Sequence, residues 1–234
     1  MGVCVLTITC LLTISLGAWV YGSARISSGM FINAQCHIDD KKSIQLTFDD
    51  GPDPIITRKV MDVLERHGHR GIFFVIGEKV EQHPEIVREI TQRGHQIGNH
   101  TYSHNPFGYL RGANWLRREI ERCDSAILQA CGMRPQYFRP PLGICPHYLR
   151  RVLQQTDKQC IGWSVRSLDT MNQPREQVLN RVIKHIHGGA IILLHDRLPH
   201  ADTLADYILS YWQSSLEANN SPTTYDTVST APNV

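Results

Sequence analysis

The sequence lacks the charge excess that marks nucleic-acid binding proteins. Its 234 residues include 24 Lys and Arg against 22 Asp and Glu, which gives a formal net charge of only +2. No basic surface strong enough to attract nucleic acid is therefore expected. No internal repeat is visible. With 41% hydrophobic and 20% charged residues, the chain has the composition of an ordinary globular protein with one sizeable core.

Paired cysteine motifs are also missing. Two of the seven cysteines, Cys4 and Cys10, lie in an apolar N-terminal stretch. The other five occur singly, at Cys36, Cys123, Cys131, Cys145 and Cys160. This spacing indicates neither a zinc ribbon nor a dense disulfide scaffold, and an odd number in the domain implies at least one free thiol. We expect these thiols to act as small buried hydrophobic groups.

Charged side chains are absent between Gly2 and Gly22. About twenty apolar residues are enough to cross a bilayer as a helix, which is long for the apolar part of a cleavable signal. Residues 1–24 are therefore predicted to be a membrane anchor or signal helix, with an uncleaved anchor preferred.

Two alternatives to the anchor stay open. Gly22, Ser23 and Ala24 are small residues of the kind that signal peptidase accepts, so cleavage would give a secreted protein. The segment can also be a buried helix of the domain itself. Arg25 mildly favours a cytoplasmic placement of the following chain, but the chemistry argued below favours a catalytic domain outside the cytoplasm, in the periplasm or at the cell surface.

From about Lys42, short apolar runs alternate with segments of helical period, which predicts an α/β fold with a parallel sheet. The predicted strands are Ser43–Phe48, Gly71–Ile76, Gln96–Asn99, Gln136–Arg139, Gln159–Trp163 and Ala190–His195. The predicted helices are Thr57–His67, Glu78–Arg93, Asn114–Cys131, His147–Thr156 and Arg175–His187. Six such alternations indicate a barrel or an open sheet.

The remaining segments complete the predicted domain organisation. Residues 25–42 are interpreted as a linker and residues 43–218 as the catalytic domain. Residues 219–234 are rich in Asn, Ser, Thr and Pro and form a polar tail, with one edge strand predicted at Tyr225–Val228.

Two adjacent carboxylates follow the first predicted strand. In parallel α/β folds the reactive groups gather at the C-terminal ends of the strands. Asp49 and Asp50 lie at such an end, and the Gly51-Pro52 turn can direct both side chains into one cavity. The pair indicates two distinct roles in catalysis, although a turn with capping duties is the simpler alternative.

Two imidazoles follow the third predicted strand. His100 and His104 are four residues apart, so they can converge on one ion from a helical turn. Two histidines and a carboxylate form a familiar catalytic zinc set. No Glu follows His100, which argues against a helix-borne HExxH metalloprotease site. Two solvent-facing imidazoles are the alternative.

Two further strand ends carry polar residues. Arg139 precedes residues 140–143, a Pro-Pro-Leu-Gly loop that fixes the backbone, so Arg139 can hold a carboxylate by paired hydrogen bonds while loop N–H groups face a developing oxyanion. His195 ends a fully apolar strand, and a carboxylate such as Asp169 would keep it protonated for donation to a leaving group. Each motif taken alone is equally compatible with an ordinary loop or strand end.

Taken together and in order, five motifs resemble the polysaccharide deacetylase family, also called the NodB-homology domain or carbohydrate esterase family 4. They are TFDDGP (47–52), HTYSH (100–104), RPPLG (139–143), WSVRSLDT (163–170) and ILLHD (192–196). The resemblance covers about Ser43 to Asp196. It implies a distorted (β/α) barrel and a hydrolase that removes N-acetyl groups from N-acetylglucosamine-type sugars in a polysaccharide or peptidoglycan and releases acetate.

The resemblance implies a divalent metal, most often zinc and in some cases cobalt, bound by Asp50, His100 and His104. In the family the position of Asp49 is the general base, and the position of Arg139 orients that base. This assignment agrees with the chemistry of amide hydrolysis, because zinc lowers the pKa of water to about 7 and so supplies a nucleophile at physiological pH.

The same resemblance implies the proton donor and the oxyanion contacts. His195 is the general acid that protonates the departing amine, and Asp169 tunes it. The N–H of Leu142 steadies the tetrahedral anion, with Pro140 and Leu193 on the same substrate side of the site.

Three positions depart from the usual family pattern. Leu142 and Thr170 stand where relatives often have an aromatic residue and a Trp, and Arg166 stands where many carry an acid. These changes alter the sugar pocket, so the particular glycan stays open. O-acetyl ester hydrolysis and a non-catalytic carbohydrate-binding role are alternatives, although no ligand or acid is lost. Adjacent Asp49 and Asp50 cannot easily flank a glycosidic bond, which disfavours a glycosidase.

Overall fold

The computed structural model describes the backbone of residues 2–220 and the side chains of residues 13–218. In chain order the elements are α1 (Gly2–Ala24), β1 (Gln45–Gly51), α2 (Ile56–Arg66), β2 (Ile72–Val75), α3 (Gly77–Gln82), α4 (Pro84–Gln92), β3 (Gln96–Asn99), α5 (Ala113–Cys131), β4 (Tyr137–Phe138), α6 (Leu149–Gln155), β5 (Gln159–Cys160), β6 (Val165–Arg166), α7 (Arg175–His185), β7 (Ile191–His195) and α8 (Ala201–Asn220). Short 3-10 turns cover Ile26–Ser28, Gly108–Arg111 and Pro141–Gly143.

The seven strands form one parallel sheet in the order β5-β4-β3-β2-β1-β7-β6. The sheet curls into a half-barrel with β5 and β6 at its edges. The predicted α/β fold and its similarity to a distorted barrel are therefore confirmed. The register pairs Asp49 of β1 with His195 of β7. The strand ends that carry the predicted polar residues therefore meet at one edge of the sheet.

The central strands are buried on both faces. Every residue of β2 is buried, as are the first four residues of β7. Helices cover the outer face, which is why these strands are continuous apolar runs rather than alternating ones. Phe48 and Phe73 stack with ring centroids 5.1 Å apart. This rigid centre fixes the strand ends from which the site is built.

The predicted elements differ from the structure at three places. The helix predicted at Glu78–Arg93 is divided into α3 and α4 because Pro84 lacks an N–H and begins a new helix at its first turn. A seventh strand, β6, follows β5 and is only two residues long. The helix α8 is absent from the prediction, although Leu204, Ala205, Ile208 and Leu209 bury one face of it at helical spacing.

The segment predicted as a linker, residues 25–42, packs onto the half-barrel. Ile26 and Ile32 are buried in an apolar cluster with Phe138 and Leu149. The segment also forms β-bridges from Gln35 to Ile161 and from His37 to Ala190. Its apolar side chains leave water only by packing against the domain, so the segment is part of the catalytic unit and not a free linker.

The N-terminal helix α1 carries exposed apolar side chains on its C-terminal half, among them Ile14, Leu16 and Val20. No helix in the part of the chain whose side chains are described is long and apolar enough to cross a membrane. The predicted anchor depends for half its length on residues 1–12, which lie outside that part. The strand predicted at Tyr225–Val228 also lies outside the described residues.

Candidate active site

A cavity of about 140 Å³ lies at the carboxyl edge of the sheet. Its lining gathers most of the predicted site residues, and the full set is Asp49, Asp50, His100, His104, Leu142, Gly143, Trp163, Arg166, Leu168, Thr170, Leu193, His195 and Arg197. Three predicted residues, Arg139, Pro140 and Asp169, lie behind this lining. The sequence motifs, which are spread over 150 residues, thus contribute to one cavity.

Asp50, His100 and His104 form the group among the described residues that could hold a metal ion, with their ligand atoms all within 4.8 Å of one another. Asp50 Oδ1 is 3.6 Å from His100 Nε2 and 3.2 Å from His104 Nε2. Ligands about 2.0–2.1 Å from a tetrahedral ion are about 3.3 Å apart. Two imidazoles and a carboxylate at these separations fit a divalent metal.

The turn that joins the two histidines is not helical, contrary to the expectation of a helical turn. Thr101 and His104 both have left-handed backbone conformations, with φ of 67° and 50°. The Asn99 side chain accepts the N–H of Thr101, whose hydroxyl in turn accepts the N–H of His104. Asn99 is itself held by a hydrogen bond to Asp124. These contacts bring the two rings together, with centroids 5.0 Å apart.

His100 is held in the tautomer that a metal ligand needs. Its Nδ1 lies 2.8 Å from the carbonyl oxygen of Arg139, so Nδ1 carries the proton and donates it there. The lone pair is then on Nε2, which faces Asp50. Such a hydrogen bond from the remote ring nitrogen is the usual way of orienting a ligating imidazole. His100 is only 2% exposed, so it is not a solvent-facing imidazole.

The charges around Asp50 favour its ionised form. Burial by itself raises the pKa of this carboxyl, but His100, the hydrogen bond from Arg197, and the nearby His104 and His195 together lower it to about 2. Arg197 Nε donates to Asp50 Oδ2 at 2.8 Å, which leaves Oδ1 facing the imidazoles. Burial, followed by the nearby His100, lowers the pKa of His104 to about 4, so its lone pair is free for a metal at neutral pH.

Asp49 is positioned by a buried arginine. Arg139 is fully buried, and its Nη1 donates to Asp49 Oδ1 at 2.7 Å and to the Thr47 hydroxyl at 2.8 Å. Its Nε and Nη2 donate to the carbonyl oxygens of Ile161 and Gly162. The expected paired hydrogen bond to one carboxylate is therefore wrong. A single bond leaves Asp49 Oδ2 facing the cavity, 3.7 Å from His100 Nε2.

His195 lies across the cavity and is bound to Asp169. Asp169 accepts the backbone N–H of His195 at 2.9 Å and its ring Nδ1–H at 2.8 Å. Burial lowers the pKa of His195, but the hydrogen bond and charge of Asp169, with Asp49 and Asp50, outweigh it and raise that pKa above its ordinary value. The imidazolium is thus favoured, with Nε2–H as the free donor of the ring.

The Pro-Pro-Leu-Gly loop forms one wall of the cavity. Pro140 is buried, and its carbonyl accepts the N–H of Gly143 at 2.9 Å. Gly143 has a φ of 71°, and a Cβ there would lie 2.5 Å from the Trp163 ring, so the position requires glycine. Leu142 is exposed at the cavity mouth and also has a left-handed backbone, with φ of 59°. Leu193 is a buried part of the opposite wall.

Non-glycine residues with positive φ concentrate at this site. Of six among the described residues, five lie in or beside the catalytic motifs: Asp50, Thr101, His104, Leu142 and Leu168. Residues other than glycine rarely adopt this backbone conformation, and strained backbone of this kind typically clusters at functional sites.

Sequence reasoning missed three lining residues, Trp163, Leu168 and Arg197. Trp163 lay inside a quoted motif, and its ring now lies beside Gly143 and 5.6 Å from the Arg139 guanidinium. Leu168 has a left-handed backbone conformation and directly precedes Asp169. Arg197 directly follows the ILLHD motif (192–196), and this position was the signal available for it.

The curled sheet thus carries at its carboxyl edge a group that could hold a metal, next to a second carboxylate and an imidazole paired with Asp169. Residues 37–161 match the model of the polysaccharide deacetylase family. A peptidoglycan-N-acetylglucosamine deacetylase of Bacillus cereus is 33% identical over 76% of this chain and 62% of its own length. A chitooligosaccharide deacetylase of Bradyrhizobium sp. is 34% identical over 69% of this chain and 74% of its own length. The chain belongs to the polysaccharide deacetylase family.

Solved structures share the fold. The peptidoglycan deacetylase PdaC from Bacillus subtilis superposes with a TM-score of 0.69 at 29% identity, over 77% of this chain and 91% of that one. A family pseudoenzyme from Bacillus anthracis has a TM-score of 0.71 at 21% identity, over 78% of this chain and 64% of that one. Because a pseudoenzyme has the same fold, the fold alone does not establish catalysis, which depends on the site residues.

Proposed function

We propose that this protein is a metal-dependent deacetylase that removes N-acetyl groups from N-acetylglucosamine-type sugars of a glycan polymer and releases acetate. One observation carries the proposal: a group that could hold a metal, a carboxylate positioned by Arg139 and an imidazole positioned by Asp169 surround one cavity. The relatives named as peptidoglycan and chitooligosaccharide deacetylases support this substrate class. The alignment covers 62% of the Bacillus cereus relative, so the activity is proposed for the domain aligned.

Asp50, His100 and His104 are the residues that would hold the metal. Zinc suits this donor set best, because a carboxylate and two imidazoles leave positions open for water and substrate, and cobalt is the alternative. When bound, a divalent cation supplies a Lewis acid that polarises the acetyl carbonyl and lowers the pKa of water.

The proton transfers are assigned to Asp49 and His195. Asp49 Oδ2 faces the cavity and accepts a proton from the attacking water, while Arg139 keeps Oδ1 occupied and the carboxylate in place. His195 Nε2–H donates a proton to the amine as the C–N bond breaks, and Asp169 stabilises the charged ring. The two groups lie at paired positions of adjacent strands, β1 and β7.

The Leu142 N–H is the proposed oxyanion donor. Leu142 lines the cavity, and its left-handed backbone belongs to the loop that follows Pro140 and Pro141. A preorganised N–H at the developing charge stabilises the transition state of acyl transfer. Because the donor is backbone, the leucine side chain can replace the aromatic residue of relatives without losing it.

An extracytoplasmic location, with attachment to a membrane through the N-terminal segment, is part of the same proposal. The uncharged stretch from Gly2 to Gly22 and the exposed apolar residues of α1 support it, because such side chains favour an apolar environment. A periplasmic-active reporter fused after Val234 tests the location. A fusion that is produced in full but stays inactive would contradict it.

The direct test is acetate release from N-acetylglucosamine oligomers and from peptidoglycan by full-length protein that has been stripped with a chelator. We expect release to return when zinc is added and to be absent in His100→Ala. Asp49→Asn should bind zinc but lose about 10²–10⁴-fold in turnover, the usual contribution of a positioned base.

The alternatives give different results in this assay. Release from O-acetylated polysaccharide without release from N-acetylated sugars would favour an esterase. A protein that binds glycan and zinc but releases acetate from neither N-acetylated nor O-acetylated substrates would be a carbohydrate-binding pseudoenzyme. Normal turnover in Asp49→Asn would show that the assigned base is wrong.

A further inference from the structure

The helix α5 contacts the ligand turn, residues 99–104, which carries the two histidines of the candidate metal site. The turn begins at the last residue of β3 and includes two residues with left-handed backbones, Thr101 and His104. Backbone of this kind persists only where the surrounding structure holds it in place. Side chains of α5 reach three residues of the turn, so this one helix can fix the spacing of the two imidazoles.

A buried carboxylate of α5 makes the first contact. Asp124 Oδ1 accepts a hydrogen bond from Asn99 Nδ2 at 2.7 Å, and the same Nδ2 donates to the carbonyl oxygen of Ile120 at 2.9 Å. These two bonds orient the amide so that Asn99 Oδ1 accepts the N–H of Thr101 at 2.8 Å. Asn99, Thr101 and Asp124 are at most 4% exposed, so water does not compete for these hydrogen bonds.

Asp124 is held in turn by Lys158, which directly precedes β5. Lys158 Nζ lies 2.7 Å from Asp124 Oδ2, and both side chains are buried. The same Nζ donates to the carbonyl oxygen of Pro135 at 2.6 Å. Burial raises the pKa of the Asp124 carboxyl, and the hydrogen bonds from Lys158 and Asn99 oppose that rise. One oxygen of Asp124 therefore binds the counter-charge, and the other binds the amide of the ligand turn.

A second carboxylate of α5 binds the far end of the ligand turn. Glu119 Oε2 accepts both the backbone N–H of Ser103 at 2.7 Å and its hydroxyl at 2.8 Å. The Arg122 guanidinium also lies over the Tyr102 ring, 3.4 Å from its centre. Because Ser103 directly precedes His104, the Glu119 contact fixes the backbone from which the second imidazole extends.

We propose that Asp124 and Glu119 are positioning residues of the metal centre, which hold His100 and His104 at the separation that one ion requires. The inference rests on the metal group of the proposed function and extends it to a helix whose described side chains all lie outside the lining of the catalytic cavity. Each carboxylate acts through the ligand turn, since neither belongs to the group that could hold the ion. Contacts that orient metal ligands also set metal affinity.

The experiment compares two double variants that differ in one hydrogen-bond acceptor. Lys158→Met with Asp124→Asn removes both charges but keeps a side-chain carbonyl for Asn99, whereas Lys158→Met with Asp124→Leu removes this acceptor as well. Replacement of a buried ion pair by neutral side chains of similar volume is often neutral for stability, so both proteins should fold. Competition with a chelator measures the zinc affinity of each full-length protein without substrate.

We expect the double variant with Asp124→Asn to bind zinc within about threefold of wild type, and the one with Asp124→Leu to bind about 10–100-fold more weakly. Equal affinity of wild type and both variants would overturn the inference. So would equal losses in both, which would assign the effect to the missing charges. Saturating zinc should restore most of the turnover lost with Asp124→Leu, and failure to do so would contradict a role in holding the ion.

Glu119→Leu tests the other end of the ligand turn, with Glu121→Leu as the matched control. Glu121 lies on the same helix, but it pairs with Arg117 on the surface. We expect zinc binding to weaken about tenfold in Glu119→Leu and to stay unchanged in Glu121→Leu. Equal zinc affinity of these two variants would contradict the role assigned to Glu119.

Zinc affinity separates this inference from the proposed function, because it is measured without substrate. If wild-type protein released no acetate but the variants showed the expected order of zinc affinities, the deacetylase function would fail and the positioning role would stand. Normal acetate release with unchanged zinc affinity in every variant would remove the positioning role alone.

Discussion

Three carboxylates of the site differ mainly in their partners. Asp49 is bound to a buried guanidinium, Asp50 faces two imidazoles and Arg197, and Asp169 holds the ring of His195. In Asp49 and Asp50 an arginine fixes one oxygen and leaves the other facing the cavity or the imidazoles, whereas both oxygens of Asp169 bind His195. Chemically identical groups can therefore take the three roles proposed for them: base, metal ligand and support of the acid.

The support that Asp169 gives to His195 predicts a change in pH dependence. Asp169→Asn removes a negative charge beside the imidazolium, so the pKa of His195 falls. Because the protonated ring is the active form, kcat/KM declines as pH rises through that pKa, and the alkaline limb of the profile should move to lower pH. A pH–rate profile of both proteins measures this. An unmoved alkaline limb would assign the proton donor elsewhere.

Arg197 predicts an effect on metal affinity. Arg197→Gln removes the hydrogen bond that fixes Asp50 Oδ2, so the ligand carboxylate is less well oriented. Loss of such an outer contact typically weakens metal binding about 10–100-fold. Zinc titration against a competing chelator measures this, and Arg134→Gln, at an exposed arginine outside the cavity, provides the control. Unchanged zinc affinity would mean that Arg197 serves another purpose in the cavity.

The residue types of the site were predictable, but their conformations were not. Asp49, His100 and His195 follow apolar runs, so their placement at strand ends follows from parallel-sheet topology. The left-handed backbones at Asp50 and Leu142 carry no such signal, because they depend on tertiary contacts and not on glycine. Arg197 was missed for a similar reason: its partner Asp50 is 147 residues away in the sequence.

Among the helices and strands, the length of an element largely determined whether it could be predicted from the sequence. The long amphipathic helices and the apolar strands β1, β2 and β7 were predicted because their periodicity extends over many residues. The strand β6 consists of Val165 and Arg166 alone, which is too short for any pattern. The helix α8 did carry a pattern, and it covers the outer face of the half-barrel against α2.

This position of α8 predicts a stability effect without a direct effect on the site. Ile208 is fully buried, so Ile208→Ala should lower the free energy of unfolding by about 2–5 kcal/mol. The exposed Ser210 on the same helix gives the control Ser210→Ala, expected to stay within about 0.5 kcal/mol. Denaturant unfolding measures both. A loss below about 1 kcal/mol in Ile208→Ala would show that α8 contributes little to the core.

For the whole molecule, stability should depend on pH through Asp196. This residue is fully buried, its Oδ2 accepts the Thr57 hydroxyl, and its Oδ1 has no hydrogen-bond partner among the described residues. Burial raises its pKa from 3.8 to about 7, although Thr57 and Lys79 oppose the shift. The folded protein therefore retains a proton that the unfolded chain has lost between these values, so this group's contribution to stability falls as pH rises from about 4 to 7.

Asp196→Asn removes that titration. The melting temperature of the variant minus that of the wild type should increase from pH 4 to pH 8 by roughly 3 °C or more, the shift that about 1 kcal/mol causes in a chain of this size. Thermal unfolding of both proteins, freed of metal with a chelator, at pH 4 and pH 8 measures this change in melting temperature. A temperature difference that stays constant with pH would mean that Asp196 ionises normally in the folded state.

The segment before β1 has a consequence for the open side of the half-barrel. Its backbone bonds to Cys160 and Gly162 on one side and to Gly189 on the other, so it covers the edge strand β5 and reaches the start of β7. Unpaired strand edges invite pairing with other chains. The segment therefore protects against aggregation, and a shortened chain should keep Ser23, whose carbonyl accepts the N–H of Cys145. Removal to residue 42 would leave a sheet prone to associate with its copies.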